Sequence, residues 1–464
     1  MFDHEINLNA DSRVTIMFGP NGIGKTYILR MTKGLLSSDF RAFKVPFSEF
    51  RIDFDDGSCL KVTKELEHPR PAPPISYGEA LPVLIVSYRM PGAKERSFPV
   101  HRDTAPPQGP QGEQSYRASR QLIEELQARI EDLIYMGDGT WAFQGDEGIL
   151  NWELYQRLIG KVPEERLKEL LRFGSSGPEW FRELQKEIPH PYLIDTKRLG
   201  HVVIRERQRY NLREERVETP TVKLYADELA KKIKNKAEEY GALSQRLDSE
   251  FPKRVIGQVT PFDSTSNTAS DSTSRYNELR NELEGLRKDQ TRLKEMGLLV
   301  GVDLSIPEEI ENQSRREVLN GVLTVYVRDL RKKLEIFNDL AERIELLNRN
   351  INGRFSFKKL RVTKDEGFVF DVKRGQSLSA EALSSGEQHE LVLNYELLFK
   401  IDERSLVLID EPELSLHIAW QHQFMQDLLD IARLGQFDVL VATHSPDIIH
   451  THWDLATDLG EGAK

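Results

Sequence analysis

The sequence predicts an α/β fold around a mixed sheet with a helical insertion, and three observations carry that prediction. Val14–Phe18 is a short apolar run that leads through a glycine-rich turn into a helical pattern over 27–36. Residues 406–409 are a continuous apolar run, and 437–442 are apolar except for Asp438, patterns that are typical of buried parallel strands. The middle of the chain carries helical and heptad patterns, so we expect a helical insertion in the α/β core.

Two further stretches predict antiparallel β structure. Residues 50–63 alternate around Asp55-Asp56-Gly57, a hairpin signal, and 83–88 is another strand candidate. Residues 355–363 and 368–373 are strand-rich and flank an Asp-Glu-Gly turn. These stretches predict an antiparallel β subdomain beside the parallel core.

The first insertion begins with a composition change. Residues 102–119 are rich in Pro, Gln, Gly and Arg and predict a surface loop. Residues 120–188 carry apolar positions at helical spacing and predict a helical segment. Residues 191–199 return to strand character, and 221–250 predict an amphipathic helix.

The second insertion combines a polar stretch with a heptad pattern. Residues 264–274 are dominated by Ser and Thr, which predicts a flexible linker. Apolar residues then follow a heptad seam over 276–293 and again over 319–347, with a break at 297–307. An antiparallel helical hairpin and a compact helical lobe both fit this pattern. A helix over 276–296 would rise about 30 Å at about 1.5 Å per residue, so any coiled coil is short.

The predicted organisation divides the chain into five segments. They are 1–100, the amino-terminal part of the core; 101–190, the loop and helical insertion; 191–260, a return to the core and a helix; 261–350, the linker and short coiled-coil hairpin; and 351–464, the carboxyl-terminal part of the core.

Composition excludes several classes of protein. The 464 residues carry 64 Lys and Arg against 75 Asp and Glu, a net charge of −11, which argues against bulk electrostatic coating of nucleic acid. Cys59 is the single cysteine, so an intramolecular disulfide is excluded. With no signal peptide at the amino terminus and no long apolar run, we expect a cytoplasmic protein without a membrane partner.

A phosphate-binding loop follows the first strand. Its eight residues fit G-x-x-x-x-G-K-[ST] between a strand and a helix, the context that the motif requires. The Lys25 ammonium would reach the β- and γ-phosphates of ATP, and the Thr26 hydroxyl would bind Mg²⁺. The alternative is a plain glycine-rich turn. The residues are Gly19, Pro20, Asn21, Gly22, Ile23, Gly24, Lys25 and Thr26.

A second group of candidates follows the two carboxyl-terminal strands. Asp410 and Glu411 end the first of them, where Asp410 would bind Mg²⁺ through its water shell and Glu411 would polarise the attacking water as the catalytic carboxylate. The alternative is a core strand that ends in two acids. Thr443 and His444 follow the second strand, and His444 would hydrogen-bond a γ-phosphate.

The segment 383–388, Leu-Ser-Ser-Gly-Glu-Gln, resembles the signature motif of ATP-binding-cassette ATPases. The phosphate loop, Asp410-Glu411, the segment 413–417 and His444 follow the order of that family. The resemblance implies that the signature contacts ATP held by another subunit in a head-to-tail dimer within a higher homo-oligomer. It also implies that 413–417 links the two sites and that His444 is the switch histidine. The signature contacts are Ser384, Ser385, Gly386 and Glu387.

Within that superfamily, the chain looks most like ATPases of bacterial anti-phage defence, above all the ATPase subunit of the PARIS system, with the Septu and overcoming-lysogenization ATPases related. The overcoming-lysogenization proteins continue into a nuclease domain, whereas this sequence ends 20 residues after His444. We therefore expect a sensor and scaffold that controls a separately encoded effector, a nuclease, and responds to a phage-encoded trigger protein.

The alternative is a repair-type ATPase that clamps DNA directly. The segment 205–216 carries five arginines, but three glutamates are interleaved with them, so a solvated charged helix or loop is favoured over a DNA track.

Overall fold

The computed structural model describes most of the chain but not all of it. The described residues are 3–65, 83–100, 126, 134–137, 140–142, 149–150, 178–194, 201–207, 214–259, 269–299, 313–372, 375–414 and 416–460. The predicted loop at 102–119 and the segment 195–199 lie outside them.

The chain divides into two compact units. The first comprises 1–221 and 395–464, and the second comprises 222–394. The amino- and carboxyl-terminal parts of the chain thus fold into one unit, and the middle folds into the other.

A five-stranded parallel sheet forms the centre of the first unit, with strand order β17-β1-β16-β15-β9. Its three central strands, β1, β16 and β15, are buried along nearly their whole length, as the apolar runs predicted. Every described strand pair in this central sheet is parallel. The antiparallel pairs, which make the fold as a whole mixed, lie in the other sheets. The strands are β1 (Val14–Phe18), β9 (Pro191–Ile194), β15 (Leu406–Asp410), β16 (Asp438–Thr443) and β17 (Ala456–Asp458).

The other described strands of the first unit form antiparallel sheets. The predicted hairpin belongs to a sheet of order β2-β3-β4-β5, and two smaller sheets have orders β6-β7-β8 and β10-β11. The strands are β2 (Glu49–Asp53), β3 (Cys59–Glu65), β4 (Val83–Arg89), β5 (Arg96–Val100), β6 (Ile134–Gly137), β7 (Thr140–Ala142), β8 (Ile149–Leu150), β10 (His201–Arg207) and β11 (Glu214–Pro220).

One hydrophobic core joins the parallel sheet, the four-stranded sheet and the helix after the phosphate loop. Leu29, Leu60 and Leu408 come from these three elements and are fully buried in the same cluster. The helix is therefore clamped between two sheets, which fixes the loop at its amino end. The helices assigned to this unit are α1 (Lys25–Ser37), α2 (Glu179–Glu187), α8 (Ile418–Gly435) and α9 (Pro446–Ile449).

The second unit is mainly helical with one antiparallel sheet of order β12-β13-β14. Phe337 is fully buried between two consecutive helices, so the seam predicted over 319–347 is divided between α5 and α6. The boundary with the first unit falls inside α7. The elements are α3 (Thr221–Val259), α4 (Ala269–Glu295), α5 (Gln313–Glu335), α6 (Asn338–Arg354), β12 (Lys358–Thr363), β13 (Gly367–Val372), β14 (Gln376–Ser379) and α7 (Ser385–Phe399).

Two helical predictions were wrong in part. Within 120–188, β6, β7 and β8 form a small antiparallel sheet. The leucines before residue 134 have helical spacing, whereas the sequence Asp-Gly at 138–139 is a hairpin signal that the helical prediction overlooked. The charged segment at 205–216 belongs to the β10-β11 ladder, where Arg205 pairs with Arg216, so at its two ends it is neither helix nor loop.

The polar linker is shorter than predicted. Helix α4 begins at Ala269, inside the stretch 264–274 that composition assigned to a flexible linker. Extending an existing helix costs far less than nucleating one, and Ser, Thr and Asp are well tolerated in a first turn. The helix is held by its packed residues after Tyr276, and it therefore extends towards its amino end into the polar stretch.

Candidate nucleotide-binding site

The loop between β1 and α1 has the backbone shape of a phosphate cradle. Gly22 and Gly24 adopt φ of 87° and 101°, a left-handed conformation that costs free energy for any residue with a Cβ. Gly24 is the N-cap of α1, and its carbonyl accepts the first helical hydrogen bond from the Ile28 amide at 2.9 Å. The loop thus presents the unpaired amides of the first turn of a helix, the groups that bind anions.

Lys25 is buried, with only 5% of the residue exposed. Its ammonium donates hydrogen bonds to the carbonyl oxygens of Gly19 and Pro20, at 2.7 and 3.1 Å. Both partners belong to its own loop, and no ion pair joins Lys25 to a carboxylate among the described residues. The positive charge is therefore held inside the loop without being neutralised.

Thr26 and Asp410 meet across the sheet. The Thr26 hydroxyl donates to Asp410 Oδ1 at 3.2 Å, which joins the first helical turn after β1 to the end of β15. Burial raises the pKa of the Asp410 carboxyl, and the nearby negative charge of Glu411 adds to that effect. The hydrogen bond from Thr26 and the charges of Arg30 and Lys25 oppose it but do not cancel it.

A hydroxyl beside a carboxylate is a hard oxygen donor set of the kind that Mg²⁺ takes, with phosphates and water completing the shell. In the described part of the chain, this site included, no group of three or more His, Cys, Asp or Glu side chains is arranged to hold a metal ion by itself. Thr26 and Asp410 therefore fit a nucleotide-bound Mg²⁺.

The strand ends beyond Asp410 and Thr443 form a compact polar turn. Glu411 has a φ of 44°, and its amide donates to the carbonyl of Ala442 at 2.9 Å, which extends the β15-β16 ladder by one residue. His444 Nδ1 lies 3.9 Å from Glu411 Oε1 but only 3.1 Å from Glu413 Oε1. The predicted catalytic pair is thus adjacent but not hydrogen-bonded.

Glu413 is a member of this site that the sequence analysis placed in the linking segment 413–417. Its Oε1 accepts hydrogen bonds from the Thr443 hydroxyl at 2.8 Å and from the His444 amide at 3.1 Å. The signal that would have found it is an acidic residue two positions after Asp410-Glu411, directly before a polar turn on the neighbouring strand.

The signature residues begin α7 and are part of the second unit. Ser384 and Glu387 form a capping box: the Ser384 amide and hydroxyl donate to Glu387 Oε2 at 2.8 Å, and the Glu387 amide donates back to Ser384 Oγ at 3.4 Å. The ammonium of Lys358 donates to both oxygens of Glu387, at 2.8 and 2.6 Å. Burial raises the pKa of Glu387, but these hydrogen bonds together outweigh it, so the pKa lies below its ordinary value.

Ser385 is exposed and Gly386 partly exposed in the first turn of α7. A Cβ added at Gly386 would meet no atom within 4 Å, and its φ is not positive, so neither packing nor backbone conformation inside the chain requires glycine there.

This chain is similar to known proteins over parts of its length. Residues 266–449 match a family model described as "AAA domain, putative AbiEii toxin, Type IV TA system". Over 153 residues, 33% of this chain, the sequence is 29% identical to the UvrABC system protein A of Pseudomonas putida, and that match spans 14% of the relative's length.

Two solved structures of Smc head domains bound to ScpA align with most of the chain. One, from Pyrococcus furiosus, has a TM-score of 0.26 at 14% identity and covers 97% of this chain and 88% of its own. The other has a TM-score of 0.27 at 10% identity and covers 94% and 83%.

The fold is that of a P-loop NTPase. The phosphate loop, Asp410-Glu411 and His444 leave β1, β15 and β16, which are parallel neighbours in the sheet, so their carboxyl ends meet at one edge. None of the helices in the described ranges is long and apolar enough to cross a membrane.

Proposed function

We propose that this protein binds ATP with Mg²⁺ at the phosphate loop and hydrolyses it. The observation that carries the proposal is the contact of Thr26 with Asp410 at the same sheet edge as the buried, unneutralised Lys25. A metal-binding pair beside a cation in a glycine-rich loop matches the charge pattern of a nucleoside triphosphate with its Mg²⁺.

Each residue has a distinct role in this proposal. Lys25 binds the β- and γ-phosphates, and Thr26 and Asp410 hold the Mg²⁺, which neutralises developing charge on the phosphates. Glu411, one third exposed, polarises the attacking water, and His444 contacts the γ-phosphate.

The proposal also includes a head-to-tail dimer, in which Ser384, Ser385 and Gly386 of one copy contact ATP held by another copy. The open space around Gly386 supports it, since a Cβ is excluded by nothing within the chain and glycine there favours close approach of an outside group. The first turn of α7 supplies amides suited to a phosphate.

Glu411→Gln tests the hydrolytic role. The amide keeps the shape of the side chain and leaves Asp410 intact, so MgATP should still raise the melting temperature while phosphate release falls by at least about 100-fold. The matched control is Glu403→Gln, which removes one exposed carboxylate before β15 and should leave turnover unchanged. Wild-type turnover in the Glu411→Gln protein would exclude Glu411 as the catalytic carboxylate.

Co-expression tests the shared site. Lys25→Ala and Ser385→Arg chains each lack one half of every site, but a mixed dimer contains one site with wild-type Lys25 facing wild-type Ser385. We expect both single variants to be inactive and the co-expressed pair, purified through different tags, to regain part of the activity. An inactive heteromer would argue for sites contained within one chain.

For the biological role, the proposal is a sensor and scaffold of an anti-phage defence system that controls a separately encoded nuclease and responds to a phage protein. The description of the matching family, which names a toxin and a toxin–antitoxin system, supports a role of this kind. The helical second unit offers surfaces for an effector. Co-purification with the product of the neighbouring gene, followed by phage challenge with wild-type and Glu411→Gln operons, tests this role; full protection by this gene alone would exclude a separate effector.

Direct clamping of DNA remains the competing function. Three exposed arginines of the second unit are paired with carboxylates: Arg292 with Glu345, Arg331 with Glu282 and Arg361 with Asp371. Such pairing lowers the positive potential that a phosphate backbone would need. Duplex binding with a steep salt dependence would favour the clamp.

A further inference from the structure

Tyr27 lies in the first turn of α1, and the proposed phosphate and metal contacts do not use its side chain. Lys25 is buried in the loop, Thr26 donates to Asp410, and Leu29 is fully buried in the core. Tyr27, by contrast, is 50% exposed, and it has no hydrogen bond, ion pair or ring contact within the described part of the chain. An aromatic ring is therefore free in solvent beside the phosphate loop.

The position of Tyr27 follows from the geometry of the helix. Successive residues of an α-helix are turned by about 100° around its axis. Thr26 faces the end of β15, where it meets Asp410, so Tyr27 is turned by about 100° from that contact and lies on the exposed side of α1. Arg30, about one turn further along, is exposed as well. The exposed side of α1 thus begins at Tyr27, directly after the phosphate-binding motif.

The order of the phosphate contacts decides where the rest of the nucleotide leaves the loop. In the proposed site, Lys25 binds the β- and γ-phosphates, and Thr26 and Asp410 hold the Mg²⁺. The α-phosphate then meets the amides at the start of the helix, which have no partner within the helix. The nucleoside is joined to the α-phosphate, so it leaves the loop at the first helical turn. Tyr27 is the exposed aromatic side chain of that turn.

A base that leaves the loop there stays in water on both faces unless a side chain covers one of them. An aromatic ring covers a base by stacking, and such a contact changes affinity by roughly 10- to 100-fold. The ring of Tyr27 has no contact to break before it stacks. His4, a second ring beside the loop, is already engaged, because its Nε2 lies 3.2 Å from the carbonyl oxygen of Ile23.

We propose that the base of the nucleotide stacks on the ring of Tyr27, which makes Tyr27 a binding residue for the nucleoside end of ATP. The inference rests on the proposed nucleotide-binding function, and it adds the residue that distinguishes a nucleoside triphosphate from a bare triphosphate. Every base has an aromatic face, so stacking does not read the hydrogen-bonding edge of the base. Tyr27 therefore favours a nucleotide over inorganic triphosphate without selecting adenine over guanine.

Calorimetric binding of MgATP, and of inorganic triphosphate with Mg²⁺, to the full chain tests the proposal. Tyr27→Ala should weaken MgATP binding by about 10- to 100-fold and leave triphosphate binding unchanged. Tyr27→Phe keeps the ring and should bind both ligands as tightly as the wild type does. The matched control is Tyr326→Ala, which removes a partly exposed tyrosine of α5 and should change the binding of neither ligand.

Several results of this experiment would overturn the proposal. Unchanged MgATP binding in Tyr27→Ala would show that the base does not stack there. Equal weakening of MgATP and triphosphate would show that the variant disturbs the phosphate loop, and a loss in Tyr27→Phe as large as in Tyr27→Ala would assign the effect to the hydroxyl. A wild type that binds both ligands equally tightly would refute this inference alone, whereas a wild type that binds neither would refute the phosphate site as well.

A second measurement compares the bases and separates binding from catalysis. MgATP and MgGTP should lose affinity by the same factor in Tyr27→Ala, because both bases present an aromatic face. A loss confined to ATP would overturn stacking in favour of an edge contact. In turnover, Tyr27→Ala should raise KM for ATP and leave kcat nearly unchanged, the pattern of a contact made equally in the ground state and the transition state. A fall in kcat at constant KM would overturn the proposal, since it would give Tyr27 a role in the chemical step.

Discussion

Two buried polar clusters, one in each unit, differ in whether their buried charge is neutralised by an ion pair. In the second unit, Arg354 of α6 and Glu390 of α7 form an ion pair whose side chains are 1% and 0% exposed. Asn394 donates to Glu390 Oε1 at 2.6 Å, and Asn350 donates to Asn394 Oδ1 at 3.0 Å. In the first unit, Lys25 is equally withdrawn from solvent, but it bonds only to carbonyls of its own loop.

The difference separates a structural cluster from the proposed binding cluster. Arg354 and Glu390 neutralise each other across two helices, so their charge is used within the fold. Lys25 and Asp410 keep opposite charges apart at one sheet edge, an arrangement that favours a ligand carrying both phosphate and metal ion. Burial alone would not have told the two clusters apart.

The largest expected effect comes from breaking the structural cluster. Arg354→Met leaves Glu390 buried without its cation and should lower the free energy of unfolding by about 3–5 kcal/mol. The double variant Arg354→Met with Glu390→Leu should recover much of that loss, because it removes both charges. Denaturant unfolding of both variants and of the wild type measures this, and a double variant less stable than the single would contradict the assignment.

Lys25→Ala should show the reverse pattern. It should change the stability of the free protein little and abolish the binding of MgATP. At a nucleotide concentration of about 100 times the dissociation constant, MgATP should stabilise the wild type by about 2.7 kcal/mol and the variant not at all. Thermal unfolding with and without MgATP provides the measurement. Equal stabilisation of both proteins would refute the phosphate site.

The smallest effect concerns the capping box of α7. Glu387→Gln should cost roughly 1 kcal/mol at neutral pH, the usual contribution of a helix cap. Because the pKa of Glu387 is lowered in the folded protein, its contribution is present above its ordinary value of 4.5 and is lost as the pH falls through the folded pKa. Unfolding at a series of pH values should therefore show the variant and wild type converging in acid, while Glu284→Gln, on an exposed position of α4, serves as the control. A difference that persists unchanged in acid would rule out the ionised carboxylate as its source.

Contiguous motifs were predicted well because they depend on local chemistry. The glycine-rich loop, the apolar strands on either side of the helical middle, and the acids at the end of β15 all come from residues next to one another in the chain. Regular hydrophobic spacing also located α3 and the helices of the seam. At β6 to β8 the helical spacing of the apolar residues led to a wrong prediction. The Asp-Gly pair in the sequence between β6 and β7 was the better signal there, because it favours a hairpin.

Tertiary structure decided which distant groups meet. Thr26 and Asp410 are far apart in the chain, and their contact exists because β1 and β15 are both neighbours of β16. Glu413 and His444 meet because the turns after β15 and β16 leave the sheet side by side. The sequence by itself shows which residue types are suited to phosphate and metal, because that suitability is a property of single side chains. Which carboxylate faces the histidine depends on strand order and on the left-handed backbone of Glu411, and these arise only when the sheet has formed.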